Sequence, residues 1–323
     1  MDLTLLYLLS FGLFLLLAGY TLPFIPNKST ARWIAWIICI ATVIFASLIT
    51  ADASALVRMV SIVSLQLLSM KIIVAVESYP GKMRLNSLQW SAFALGWFGM
   101  RPALFETFPA PSQRLPYATI AMRGISRIAL GMVLVYLSAV IETTNTSIMI
   151  IADLALLVGI SFILHFGILN LSTAYWRWWG VNVKELFRSP YKSRSLNEFW
   201  GKRWNMAFSE MTTLIAYRPL KFKIGKTAAM IISFLLSGVL HEIAISLPVK
   251  AGYGLPMLYF ALHGILMYTE EKSAFVQKIL ASKILSHLWV LGWLILPIHL
   301  LFHPAFMEGV LKPLRALLLG YIS

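Results

Sequence analysis

Residues 3–22 form an unbroken apolar run without a charged side chain, and comparable runs return at 33–50, 57–76, 118–141, 148–171, 227–246, 255–268 and 284–302, with a weaker one at 306–321. Crossing about 30 Å of hydrocarbon takes roughly 20 residues of helix, so most of these runs match the thickness of a bilayer. Inside lipid each backbone N–H and C=O must be satisfied by the protein, which helices achieve locally. The fold expected is therefore an all-α integral membrane bundle of about eight or nine spans. With 59% hydrophobic and 12% charged residues, a soluble globular chain is excluded.

The net charge of +14 would suggest a nucleic-acid partner in a soluble protein, but here the cations sit in particular loops. The connections 23–32, 77–117, 172–226 and 269–283 are basic; 51–56, 142–147 and 247–254 are not, with Lys250 the one dissenter. The positive-inside rule then predicts an outside N-terminus and a cytoplasmic 172–226 belt, which carries eleven Lys and Arg against three Glu. No basic residue precedes the first run, so it reads as a retained span and not a cleaved signal. The 77–117 segment contains Lys82, Arg84, Arg101 and Arg114 with five prolines, around an apolar piece, Leu88 to Gly99, of only 12 residues. That piece is too short to cross and is expected to be interfacial or re-entrant. Cys39 is alone, which rules out an intrachain disulfide and a cysteine metal site. No repeat or linker divides the chain, so one domain over 1–323 is expected, with a motif-bearing core at about 190–270.

Two stretches carry candidate chemistry. Ser195 to Asn205 (S-L-N-E-F-W-G-K-R-W-N) is polar and aromatic in an otherwise oily chain, and Ser195 with Glu198 has capping-box spacing. Apolar residues then recur at steps of three and four as far as Ile215, so an amphipathic helix is predicted from the cap to Pro219, lying along the membrane surface or roofing a cavity. Asn205 falls at the margin of its two faces, with Gly201 leaving room beside it. The second stretch is Ser237-Gly238-Val239-Leu240-His241-Glu242, inside a span. Counted from Thr227, His241 lies about 21 Å along the helix at roughly 1.5 Å per residue. An intramembrane ionisable group is a functional-site candidate; a packing histidine bonded to a neighbouring helix fits equally well. Glu242 points roughly 100° away and is expected to be an ion-paired or neutral buried acid. His263 is placed to line the same cavity as His241. The remaining histidines lack the spacing of a zinc site, so no metal is expected. Tyr175-Trp176-Arg177-Trp178-Trp179 reads as an aromatic belt at the headgroups.

The first stretch, followed by Tyr217-Arg218-Pro219-Leu220 and then by Ser237-Gly238-x-x-His241-Glu242 in a later span, resembles the membrane-bound O-acyltransferase superfamily, and within it the wax synthase branch. The likeness is strong over about 50 residues and extends loosely to the whole chain through its length and hydropathy. It implies a helical bundle enclosing a reaction chamber, with His241 as the base and Asn205 as the second catalytic position. Lys202 stands where relatives carry arginine or another residue, which keeps the charge but alters the donors available to a phosphate. The N-terminal half matches no motif, which leaves the acceptor pocket without an analogue.

The reaction implied is transfer of an acyl group from acyl-CoA to the hydroxyl of a lipophilic alcohol, with no cofactor beyond that co-substrate. A hydroxyl needs a positioned base at neutral pH, and an imidazole in apolar surroundings stays uncharged and able to take its proton. Asn205 is suited to donate to the thioester carbonyl, with Trp204, Ser237 and His263 as candidate substrate contacts. Arg203 and Arg218 are candidates for coenzyme A phosphates, although positive-inside bias explains them as well. Two alternatives stay open: an acetyl-CoA-dependent enzyme acting on a sterol or terpenoid hydroxyl, and a small-solute transporter. The second lacks the paired interrupted helices of inverted repeats.

Overall fold

The computed structural model describes residues 3–110, 115–141 and 146–320; Arg114 and residues 142–145 of the cation-poor connection lie outside them. Among the described residues, seven helical stretches are long and apolar enough to cross a membrane: Leu3–Phe24, Lys28–Ile49, Ala55–Ser78, Ala118–Val140, Ile148–Trp178, Lys226–Val249 and Lys283–Leu301. Their order along the chain is α1 (Leu3–Thr21), α2 (Lys28–Ile49), α3 (Ala55–Ser78), a short α4 (Ser87–Gly96), α5 (Ala118–Val140), α6 (Thr146–Ser161) and α7 (Leu169–Trp178). The belt then supplies α8 (Leu196–Glu198), α9 (Met206–Thr212) and α10 (Arg218–Ile224) before α11 (Lys226–Val249), α12 (Leu255–Lys272), α13 (Ala274–Ala281) and α14 (Lys283–Ile295). The 255–268 run forms α12, whose last turn carries Glu270, Glu271 and Lys272 and so falls outside the seven. The weak 306–321 run is broken into α16 (Pro304–Phe306), a π-helical turn Met307–Leu311 and α17 (Lys312–Leu319), following the four-residue α15 (Ile298–Leu301).

The spans differ in how much protein surrounds them. In α3 67% of the most apolar window is buried, against 11–28% in the other six, so α3 is the axis on which α1, α2 and α11 pack. Its two basic side chains are buried, and backbone carbonyls satisfy them. Lys71 donates to Phe93 O (2.6 Å) and to Trp97 O, capping the carbonyl end of α4. Arg58 donates to Thr50 O and Ala51 O (both 3.1 Å), Leu247 O (3.2 Å) and Pro248 O (2.9 Å), tying the ends of α2 and α11 together. Buried polar groups need such hydrogen-bond partners. The short piece expected to be interfacial or re-entrant packs into the protein on one side: Trp90 and Phe93 are buried, and Trp90 Nε1 donates to Leu16 O of α1 at 2.8 Å.

Helices α11 and α12 lie side by side, and Gly238 is where they touch. A Cβ at that position would stand 2.7 Å from Met257 Sδ and 3.3 Å from Met257 Cα, so glycine eases the close approach. Glu242, expected to be an ion-paired or neutral buried acid, is half-buried and bonded to backbone. It accepts the N–H groups of Gly254 (2.8 Å) and Met257 (3.3 Å), serving the amides that the first turn of α12 leaves unpaired.

Candidate functional site

The predicted helix from Ser195 to Pro219 is not continuous. Ser195 does cap it, its Oγ accepting Glu198 N–H at 3.0 Å, but Glu198 reaches back to Arg194 N–H (2.9 Å), one residue beyond the expected box. Burial works against the Glu198 charge, yet the Arg194 amide and the Arg203 guanidinium outweigh it and hold the carboxyl below its ordinary range. After α8 the chain makes a π-helical turn, Phe199–Arg203; Trp204 is extended and Asn205 is left-handed at φ 42°, ψ 66°. Asparagine tolerates that region because its short polar side chain bonds locally. Here Asn205 Oδ1 accepts Phe208 N–H at 3.3 Å and starts α9. A second π turn, Thr213–Tyr217, leads into α10, so Pro219 opens a helix instead of ending one. Periodicity predicts the apolar face correctly; it cannot register a left-handed residue that resets the helix axis.

Long-range bonds hold this broken segment in place. Glu270 of α12 accepts Leu196 N–H (2.6 Å), Asn197 N–H (3.0 Å), Asn197 Nδ2 (2.9 Å) and Trp289 Nε1 (3.0 Å). On its other side, Arg188 N–H donates to Arg203 O (2.8 Å) and Met206 N–H to Leu186 O (2.9 Å). The 196–206 segment is therefore pinned at its start by α12 and at its end by the 186–188 strip, and it roofs a cavity of about 390 Å³.

Both Asn205 and His241 line that cavity. His241 Nδ1 lies 2.7 Å from Ser237 O, one turn back on α11. A carbonyl can only accept, so the proton is on Nδ1 and Nε2 carries a free lone pair. Phe208 and Phe260 stand against the ring, with centroids 5.3 and 4.2 Å away. For Asn205 the same logic fixes the carboxamide: Oδ1 is committed to Phe208 N–H, so the NH₂ group is the end left for a ligand. Along α11 the lining continues through Ser237, Phe234, Ser233, Met230 and Thr227 to Lys226. At roughly 1.5 Å per residue this lane runs about 22 Å from the helix N-terminus to His241.

Trp204 and Ser237 line the cavity; His263, Arg203 and Arg218 do not. His263 is fully buried on α12, donates Nδ1–H to Tyr259 O (2.9 Å), packs against the cavity-lining Trp200 and leaves Nε2 without a hydrogen-bond partner. Arg203 is occupied by Glu198 (Nη2 to Oε1 2.6 Å) and by Arg188 O (3.2 Å), which makes it a strut of the π turn. Arg218 is exposed on α10. Lining residues that the sequence reading missed include Tyr217, Glu271 and Lys226. Lys226 had a signal: it sits on the same three- and four-residue register that leads down α11 to His241.

Residues 183–262 match the membrane bound O-acyl transferase family, a stretch that contains both Asn205 and His241. The chain is 30% identical over 137 residues to a probable long-chain-alcohol O-fatty-acyltransferase 7 of Arabidopsis thaliana, covering 36% of this chain and 40% of that protein. It is 28% identical over 136 residues to a long-chain-alcohol O-fatty-acyltransferase of Simmondsia chinensis, covering 36% and 39%. A third similarity, 25% over 234 residues, covers 66% of this chain and 67% of a probable long-chain-alcohol O-fatty-acyltransferase 9 of Arabidopsis thaliana. The first two matches thus span about two fifths of those relatives.

Proposed function

We propose that this chain, whose residues 183–262 match the membrane bound O-acyl transferase family, transfers a fatty acyl group from a coenzyme A thioester to the hydroxyl of a long-chain alcohol. The observation that carries this reading is that His241 and Asn205, from separate elements, line one cavity. His241 Nε2 takes the hydroxyl proton as the alcohol oxygen attacks the thioester carbonyl, a step in which a positioned base contributes about 10²–10⁴-fold. The Asn205 NH₂ group donates to the carbonyl oxygen as it gains negative charge. Collapse of the tetrahedral species breaks the C–S bond, and the leaving thiolate recovers the proton from the imidazolium. The alcohol is itself the nucleophile, so the acyl group passes directly between the two substrates.

Lys226, at the far end of the lane from His241, supports a donor that approaches from the belt, its phosphates near that cation and its thioester reaching inward. The loop charges support a cytoplasmic belt and an outside N-terminus. The test is ester formation from hexadecanol and palmitoyl-CoA in membranes containing wild-type or His241→Ala protein. Product should fall at least about 100-fold while insertion is unchanged; an undiminished ester yield would defeat the reading.

A further inference from the structure

The span that passes Trp204 contains a histidine to which the mechanism above gives no part. In three helical histidines, His241, His263 and His287, Nδ1 lies 2.7–2.9 Å from the carbonyl four residues earlier. His165 makes no such bond. It sits on a π-helical turn, Phe162–Ile168, set between α6 and α7, and its Nδ1 is buried without a hydrogen-bond partner. Such π turns inside α-helices recur at functional sites. A buried polar atom without a protein partner calls for another one.

His165 is not itself a lining residue of the chamber; it packs directly behind the wall that Trp204 forms. Its ring centroid is 5.5 Å from that of Trp204, a cavity-lining side chain that immediately precedes Asn205, and 4.8 Å from that of Phe187. Depth agrees as well. His165 is 13 residues from the belt end of its span at Trp178, about 20 Å, and His241 is 15 residues from Lys226, about 22 Å. Beside His165, Leu164 and Ile168 are exposed on the outer face of the same turn, where lipid would meet it.

We propose that His165 is a second substrate-binding imidazole, one that holds the hydroxyl of the alcohol acceptor opposite His241. Aromatic walls with one neutral hydrogen-bonding group suit a hydroxyl at the head of an apolar chain. The lipid-facing side of the turn gives that chain somewhere to lie, while the donor occupies the α11 lane. This assignment rests on the acyl-transfer reading for its chemistry but not for its test.

Purified protein in nanodiscs is titrated with tritiated hexadecanol, and ester formation is followed in parallel with palmitoyl-CoA. In His165→Phe, hexadecanol binding should weaken about tenfold or more and its KM rise to match, with KM for palmitoyl-CoA within about twofold and partial rescue by His165→Gln. His165→Leu replaces the Phe variant if thermal unfolding shows the larger ring is not accommodated. Should wild type bind hexadecanol but form no ester, acyl transfer fails and weaker binding by the variant still upholds His165. Equal binding by wild type and the apolar variant, or none by wild type, overturns the assignment.

Discussion

Asn197 donates twice to Glu270, through its backbone N–H at 3.0 Å and its side-chain Nδ2 at 2.9 Å. With Leu196 N–H and Trp289 Nε1 on the other oxygen, a single buried carboxylate fixes where the motif segment starts. Glu270→Ala leaves several of these donors unsatisfied, each worth about 1–3 kcal/mol, and should destabilise the protein by about 2–4 kcal/mol. Glu270→Gln, which keeps an acceptor but not the charge, should lose less. Thermal unfolding in detergent checks both; a Glu270→Ala protein as stable as wild type would contradict the clamp.

Asn205 combines a left-handed backbone with a ligand-facing amide, and two substitutions separate these. Glycine adopts φ 42° without strain and replaces an N-cap at a cost of only a few tenths of a kcal/mol, so Asn205→Gly should stay folded and lose about 10²-fold or more in turnover. Asn205→Ala should lose similar activity and, in addition, about 1–2 kcal/mol from the forced left-handed residue. Comparable activity in wild type and Asn205→Gly would remove the carboxamide from the chemistry.

Gly201 borders the cavity, and a Cβ built there meets nothing within 4 Å. Replacing it should therefore not harm the fold, and Gly201→Ala should be neutral or stabilising by up to about 1 kcal/mol. The added volume goes into the cavity, so ester formation should fall progressively from Ala to Val to Leu. Steady-state rates against unfolding temperature for the series test this; falling stability with constant rates would place the side chain elsewhere.

The depressed Glu198 carboxyl has a pH consequence with a definite sign. Because its folded value lies below the ordinary 4.5, its contribution is present above that pH and lost as pH falls through the folded value. The stability difference between wild type and Glu198→Gln should be constant above about pH 5.5 and shrink on acidification. The group is partly exposed and screened by solvent, so the effect is small, and melting temperatures across pH 3–7 should show the convergence. A gap that widens in acid would reverse the assignment.

Much of this protein is local information. A helical membrane fold follows from runs of apolar residues because lipid leaves the backbone no other partner, and Ser195 and Gly238 announce a cap and a close helix contact by residue type alone. His241 and Asn205 stand out in the sequence because a polar group in such surroundings has to have a use. The tertiary structure decided what those signals could not carry. Glu242 and Glu270 both turn to backbone amides of elements 12 to 74 residues away, and Lys71 and Arg58 to carbonyl ends 7 to 190 residues away. The left-handed turn at Asn205 divides a periodic segment whose spacing reads as one helix. Arg203, a plausible ligand contact by position, is taken up by Glu198, and His263 is turned through Nδ1 to Tyr259 O and lies outside the cavity lining. Hydropathy and spacing are summed along the chain, whereas hydrogen-bond partners are chosen across it, and the cavity exists only where those choices leave a space.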